Sequence, residues 1–471
     1  MNLTDEQQLI LDHVSTNDGL TLIDSVAGSG KTTMLVAIAK TIPHTNGIYL
    51  AYNKSIATEA SRKFPKTTAC MTTHKLAYAA TVKPMKLKLG SFTYREITEK
   101  VPYEVKLEVI DSIREFCLSK YTSFNTYAKD NHLPLKVITL ANDYLDKMQN
   151  AKIECTHEFY LKLFHILLAN GDVEYEPFDF IMLDEAGDLN EVTLEIFRLL
   201  PSSRKIAVGD PLQNIYTFNH TINCFEVLKD EGTMFRMSQS FRVADHIGTK
   251  IEKFCQTYLD PSMSFIGVPI HDTTIKTRGY LTRTNGALIS QMIDLNRQGI
   301  EYGLVRKSAE IFKLPLMLCN LKYQGFITDP SYKFLQSDVD NWYEDSILRD
   351  RYKGPLAYIM SLHSDDQQLI QASRLIQKHG KSAIMDAYSE SKKHEKSNQS
   401  YILATAHSCK GLEFDEVTIS PDLNDSIVQL LATIKAGKQL SSLLPSELES
   451  LNLYYVSCSR AAKVLNNAQH L

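Results

Sequence analysis

The stretch LIDSVAGSGKTTML, Leu22 to Leu35, decides how the chain is read. An apolar run, Leu20 to Ile23, gives way to a loop of small residues, Ser25 to Gly30, which passes through Lys31, Thr32 and Thr33 into the apolar-periodic segment Met34 to Ala39. The order is strand, loop, helix. In such a loop the glycines let successive backbone N–H groups converge on phosphate oxygens and the helix N-terminus adds its dipole. The lysine reaches the β and γ phosphates, and a threonine hydroxyl ligates magnesium. Ala27, Gly28, Ser29, Gly30, Lys31, Thr32 and Thr33 are the expected nucleotide contacts, with Thr32 on the metal. The pattern G-x-x-x-x-G-K-[ST] has Ser25 where its first glycine belongs. By itself the loop indicates a nucleoside triphosphate and not its use.

The 471 residues exceed what one core organises and predict two to four domains. With 44% hydrophobic and 23% charged residues, the composition is that of a globular chain and favours neither a fibrous nor a disordered class. MNLTDEQQLI lacks a basic-then-apolar signal, and no apolar run approaches about 18 residues, so the expectation is a soluble, cytoplasmic protein with no membrane partner. Eight cysteines without a C-x-x-C pair argue against a zinc ribbon and a disulfide framework. Net charge is −4, so nucleic-acid binding would need a local groove.

Ahead of the loop, Thr4 and Gln7 have the form of a capping box on a helix reaching residue 19. The Gln7 amide could read an adenine edge or stand exposed on the helix. GIYLAYNKSIATEASRKF (47–64) and ACMTTHKLAYAA (69–80) each read as strand then helix, which points to a parallel α/β sheet. From about Lys83 to Val173 the segments are helical, charged and tyrosine-rich, an inserted subdomain whose Lys83, Lys86 and Lys88 fit a solvated face better than a phosphate contact.

FDFIMLDEAGDL (178–189) is an apolar run ending in Asp184 and Glu185. Such an aspartate holds the magnesium shell, and the glutamate orients or deprotonates the attacking water. KIAVGDPLQNIYTF (205–218) follows, placing Gln213 where a loop could sense the γ phosphate; Tyr216 and Phe218 either present flat faces or pack in a core. LTRTNGAL (281–288) reads as strand then helix, and residues 305 to 399 read as less regular, ending in a solvated loop, SESKKHEKSNQS (389–400). SYILATAHSCKGLEFDEVTIS (400–420) reads as two strands around a polar turn, and LNLYYVSCSRAAKVL (451–465) as a tyrosine-rich strand running into a helix that carries Arg460.

In order along the chain, LTDEQ, AGSGKTT, YNKSIATEA, TTHKLAY, LDEAGD, VGDPLQNIYTF, QSFR, ATAHSCKGLEFDEV and LYYVSCSRA resemble the motif series of the UvrD/Rep family of superfamily 1 DNA helicases, closest in wording to its F-box DNA helicase branch. The resemblance implies an α/β fold of two RecA-like parallel-sheet motor domains, each interrupted by an inserted subdomain. The expected boundaries are 1–84 and 174–236 for the first motor, 85–173 for its helical insertion, 237–308 and 400–471 for the second motor, and 309–399 for an accessory insertion. It implies ATP and Mg2+ as ligands, with Gln7 on adenine, Lys31 on the β and γ phosphates, and Thr32 and Asp184 on magnesium. Glu185 would be the catalytic base, Gln213 the γ-phosphate sensor, Arg242 and Arg460 the arginine fingers, and Glu413 the ribose contact.

For DNA the resemblance points to Asn53, Lys54, Thr73, His74, Phe218 and His407, with Phe218 where relatives carry a base-stacking tryptophan. The implied activity is an ATP-dependent 3′ to 5′ helicase and translocase, acting as a monomer on single-stranded, forked or tailed DNA with replication or recombination proteins. Stripping of proteins or remodelling of branches with little unwinding is the alternative within the same motor, and a regulatory subunit with a degraded motor is the alternative outside it. The chain departs from the family at Gly187, where motif II has glutamine, at Ser459, where threonine is usual, and at Asn219-His220, where Arg-Gly is usual.

Overall fold

The computed structural model describes residues 3–215, 221–324, 327, 332–364, 366–395 and 399–471. Two compact units divide the chain, Met1–Phe241 and Arg242–Leu471.

The first unit opens with helix α1 (Asp5–Thr16), whose N-cap Thr4 and Gln7 exchange hydrogen bonds in a capping box and whose Gln7, Ile10 and Val14 turn one face inward. Then come β1 (Gly19–Ser25), α2 (Lys31–Thr41), β2 (Gly47–Ala51), α3 (Lys54–Lys63), β3 (Thr68–Thr72) and α4 (Thr73–Ala80). The helical insertion consists of α5 (Val82–Met85), α6 (Tyr103–Leu118), α7 (Phe124–Asp130), α8 (Leu135–Gln149) and α9 (His157–Asn170). The sheet resumes with β4 (Phe180–Leu183), the two-residue β5 (Leu189–Asn190), β6 (Arg204–Gly209), the two-residue β7 (Thr221–Ile222) and β8 (Thr233–Met237), and β9 (Gln239–Ala244) spans the boundary at Phe241.

Six of these strands form one parallel sheet in the order β3-β2-β4-β6-β1-β8. Alternation along each strand sorts side chains onto its two faces. Ile23, Tyr49, Phe180, Met182, Ile206 and Val208 join Ile10, Met34, Leu35 and Ile38 of α1 and α2 in one buried cluster. Leu22, Ile48, Leu50, Ile181, Leu183 and Ala207 join Val109, Ile113, Phe116 and Phe164 of the insertion in another. Because both faces are covered, the strands read as near-continuous apolar runs. Ligands of such sheets bind beyond the carboxyl ends of the strands, and β1, β4 and β6 deliver Ser25, Asp184 and Asp210 there.

The second unit contains β10 (Ile266–Val268), β11 (Arg278–Thr282), β12 (Gly303–Leu304), β13 (Tyr401–Thr405), β14 (Phe414–Ile419) and β15 (Ala461–Asn466). Five of them make a parallel sheet ordered β12-β13-β11-β14-β15. Both units are therefore mixed α/β with parallel sheets.

Three expectations are corrected. Residues 305–399 are rich in helix, with helices Ser308–Ile311, Lys313–Gln324, Lys333–Glu344, Ser346–Arg351, Pro355–Leu362 and Gln367–Ser391. Three of the six, Ser308–Ile311, Ser346–Arg351 and Pro355–Leu362, are too short to carry a full 3.6-residue pattern through a reading window. The supposed loop at 389–400 is helical through Ser391 and continues as a 3-10 turn, Lys392–His394, where His394 stacks on buried Tyr302 at 4.2 Å. LNLYYVSC is the end of helix Pro445–Cys458 and AAKVLN is strand β15, the reverse of the expected order. Leu451 to Cys458 are buried all round, so no polar face betrays the helix.

Candidate active site

Gly28 and Gly30 take φ of +76° and +81°, which lets the phosphate loop turn back on itself. Gly30 is the N-cap of α2 and gives it no side-chain cap, so the first N–H groups of the helix are left for an anion. Ser25 is fully buried and its hydroxyl donates to the Gly209 carbonyl at 2.7 Å; the residue in the glycine position ties the loop to β6. The Val26 amide bonds the Met237 carbonyl at 3.1 Å, and the Phe241 amide bonds the Gly28 carbonyl at 2.9 Å, bracing the loop from the β8 and β9 side. Among the described residues the buried Ser29 hydroxyl has no hydrogen-bond partner. An uncapped helix start, Lys31 as its first residue and a free buried hydroxyl fit a polyphosphate.

Gln7 is 2% exposed, so it is not an exposed helix glutamine. Its amide nitrogen donates to the Ser29 carbonyl at 3.3 Å and its amide oxygen accepts from the Thr4 amide at 3.2 Å. Phe241 is 46% exposed, and a Cβ built on Gly30 would lie 3.7 Å from its ring and 3.8 Å from the Gln7 amide nitrogen. A flat apolar face beside an amide suits a purine. Sequence reasoning passed over Phe241 although it adjoins Arg242 in QSFR.

Asp184 directly follows β4, is 4% exposed, and accepts from the Tyr49 hydroxyl and from the Glu185 amide at 2.9 Å. Burial and then the neighbouring Glu185 push its carboxyl up to about 6, against the hydrogen bond from Tyr49 and the charge of Lys31. A desolvated carboxylate of this kind favours a cation, and with Thr32, half-buried on the first turn of α2, it supplies oxygen donors that suit magnesium. Glu185 has φ of +52°, a left-handed backbone for a residue with a side chain.

At Gly187 an added Cβ would lie 2.4 Å from the Asp210 carbonyl oxygen, and one on Gly209 would lie 2.6 Å from the Gly187 nitrogen. The main chains after β4 and β6 thus touch, leaving no space for the glutamine seen in the family pattern. Asp210, 2% exposed, accepts from the Gln213 side chain at 2.7 Å and orients it. The holding roles of Tyr49 and Asp210 had no signal in the sequence.

In the second unit, Arg242 pairs with Glu413 at 2.7 Å, and burial followed by the charge of Arg460 lowers its pKa. The residue expected on ribose therefore holds an arginine. Arg460, 2% exposed, lies in the turn before β15 and donates to the carbonyls of Val456 at 2.9 Å and Leu412 at 3.4 Å and to the Ser459 hydroxyl at 3.3 Å. Ser459 keeps the hydroxyl that threonine would supply.

The AAA domain family matches residues 7–219. F-box DNA helicase 1 of Gallus gallus is 24% identical, over 100% of this chain and 49% of its own length. F-box DNA helicase protein 1 of Schizosaccharomyces pombe is 23% identical, over 98% of this chain and 57% of its own length. The chain is similar to these F-box DNA helicases over nearly all of its length. It spans about half the length of the curated relatives it matches.

The residues expected from the sequence to face DNA are distributed as follows. Asn53 is the N-cap of α3, its side chain accepting from the Ile56 amide at 2.9 Å, and exposed Lys54 follows it. Thr73 is buried at the start of α4. His74 packs edge-on to Tyr160 at 5.9 Å, and burial, then His157, lowers its pKa. His407, in the second unit, lies 3.5 Å from Arg283 on one ring nitrogen and 3.5 Å from Glu449 on the other. Phe218 and Tyr216 lie outside the described residues. Among the described residues no helix is long and apolar enough to cross a membrane.

Proposed function

We propose that the chain is an ATP-driven single-stranded DNA translocase and DNA helicase, moving 3′ to 5′ and serving replication, repair or recombination. The observation that carries this reading is the buried Asp184 beside Glu185, under the charge of Lys31 and on the same sheet edge as the uncapped start of α2. Lys31 and the loop amides hold the phosphates, Gln7 and Phe241 hold the adenine, and Glu185 takes the proton of the attacking water. Thr32 and Asp184 would hold magnesium, which when bound neutralises charge on the phosphate oxygens. Gln213, oriented by Asp210, senses the γ phosphate. Arg242 and Arg460 are the arginine fingers, supplying positive charge to the transition state. Closure on ATP and reopening after hydrolysis then advance the chain along DNA.

The test is ATP hydrolysis and unwinding on 3′-tailed, 5′-tailed and forked substrates. Hydrolysis stimulated by single strands and unwinding only from a 3′ tail is the expected result; a rate indifferent to saturating oligonucleotide would overturn it. Lys31→Ala abolishes turnover, whereas Glu185→Gln retains ATP binding. One observation favours a second reading, stripping of bound proteins with little unwinding: Gly187 removes the glutamine that links hydrolysis to DNA in the family pattern. Displacement of a DNA-bound protein compared with unwinding of a fork separates the two.

A further inference from the structure

Helix α1 and the segment that leaves the first unit are joined by one carboxylate. Glu6, in the first turn of α1, accepts from the Ser238 amide at 2.7 Å on one oxygen and from the Ser238 hydroxyl at 2.6 Å on the other. Ser238 is 4% exposed and stands between β8 and β9. The chain on either side of it follows the phosphate loop: Arg236 pairs with Asp24 at 3.1 Å, the Met237 carbonyl accepts from the Val26 amide, and the Phe241 amide donates to the Gly28 carbonyl. Glu6 is the chain neighbour of Gln7, whose amide nitrogen reaches the Ser29 carbonyl. The other end of α1 is held separately, His13 packing on Phe235 of β8 with ring centroids 4.8 Å apart.

We infer that Glu6 is a positioning residue for base selection, setting the gap in which a purine lies between Gln7 and Phe241. The inference rests on the adenine reading of those two residues proposed above. Two connections run between them. One passes through the loop, from Gln7 to Ser29 and from Gly28 to Phe241, and the other passes through Glu6 and Ser238. Together they close a ring, and a carboxylate gripping two donors of one residue is its best aimed member. The cap of α1 is already completed by Thr4 and Gln7, so the Glu6 carboxylate is not spent on its own helix. With this clasp open, α1 can turn about its His13 end and carry the Gln7 amide off the base edge, while the loop amides that face phosphate stay in place. Discrimination between bases then depends on Glu6, and phosphate binding does not. Guanine, with a carbonyl oxygen where adenine has an amino group, separates the two effects.

The test measures hydrolysis of ATP and GTP by the full chain, and binding of ribose-labelled fluorescent analogues of both. Glu6→Ala should raise KM for ATP about tenfold while KM for GTP and both kcat values stay within about twofold, with the same split in analogue binding. Glu6→Gln should restore most of the preference, because the Ser238 hydroxyl can turn to accept from the new amide while the Ser238 N–H keeps an oxygen. Ser238→Ala, which leaves the amide bond in place, should lose part of it. Phe235→Leu loosens the other end of α1 and should lower the melting temperature with the preference unchanged. A wild-type preference that Glu6→Ala leaves intact overturns the inference alone, as does an equal loss for both nucleotides. A wild-type chain that distinguishes ATP from GTP in neither hydrolysis nor binding overturns the adenine reading of Gln7 and Phe241 with it.

Discussion

Asp184 holds its negative charge where burial opposes it. Between the ordinary 3.8 and about 6 the folded chain keeps a proton that the unfolded chain has released. That carboxyl therefore contributes stability at low pH which is lost as the pH rises through about 6. Asp184→Asn should stabilise the metal-free protein at pH 7.5 by on the order of 1–3 kcal/mol while abolishing ATP turnover, with the gain shrinking toward pH 4. Melting curves against pH check this; an asparagine variant less stable than wild type at every pH would contradict it. Gly187→Ala should destabilise by about 1–3 kcal/mol in denaturant unfolding, since its Cβ alone meets the Asp210 carbonyl. At this scale the candidate residues Lys31, Thr32 and Asp184 were legible as expectations, because phosphate chemistry demands such groups in local patterns. What holds them was not. Tyr49, Asp210 and the ring of Phe241 reach the site from distant parts of the chain, and only the folded sheet brings them there.

Helix α9 is where the insertion is keyed together. Lys162, 1% exposed, donates to the Ser119 and Tyr121 carbonyls just past the end of α6, and burial lowers its pKa to about 8. One turn on, burial and then Lys162 push His165 down to about 4. Neutral His165 thus contributes stability above the ordinary 6.5 that is lost as the pH falls toward 4. His165→Gln should flatten that acid limb, and making it in the Asp184→Asn background removes the opposing trend of the carboxylate; an unchanged limb there would refute the assignment. The strands of the first sheet were legible as apolar runs followed by helices. The buried helix at 445–458 was not, because its apolar residues surround it and give neither a period of two nor of 3.6.

At the scale of the molecule, the groups proposed to hold nucleotide and the two arginines proposed as fingers belong to different units, each with its own parallel sheet. Binding and turnover should therefore separate by mutation. Arg242→Ala should bind a fluorescent ATP analogue within a few-fold of wild type while single-turnover hydrolysis falls about 1000-fold. Glu413→Ala should move part of the way in the same direction, because Glu413 holds Arg242. Equal losses in binding and turnover would place Arg242 with the ground-state contacts instead. The parallel α/β character was readable from the alternating strands and helices, whereas the extent of helix in residues 305–399 emerged only from packing.

Gly209 has no side chain, yet three working parts are measured from it. Its carbonyl takes the Ser25 hydroxyl, its bare α carbon admits the Gly187 nitrogen, and the next residue orients Gln213. The spacing of phosphate loop, carboxylate and sensor is accordingly set by the thickness of the main chain, as by a gauge block. No single side-chain exchange can retune such a dimension. Variants with a different step or a different nucleotide preference would have to keep this frame and alter the surfaces fastened to it.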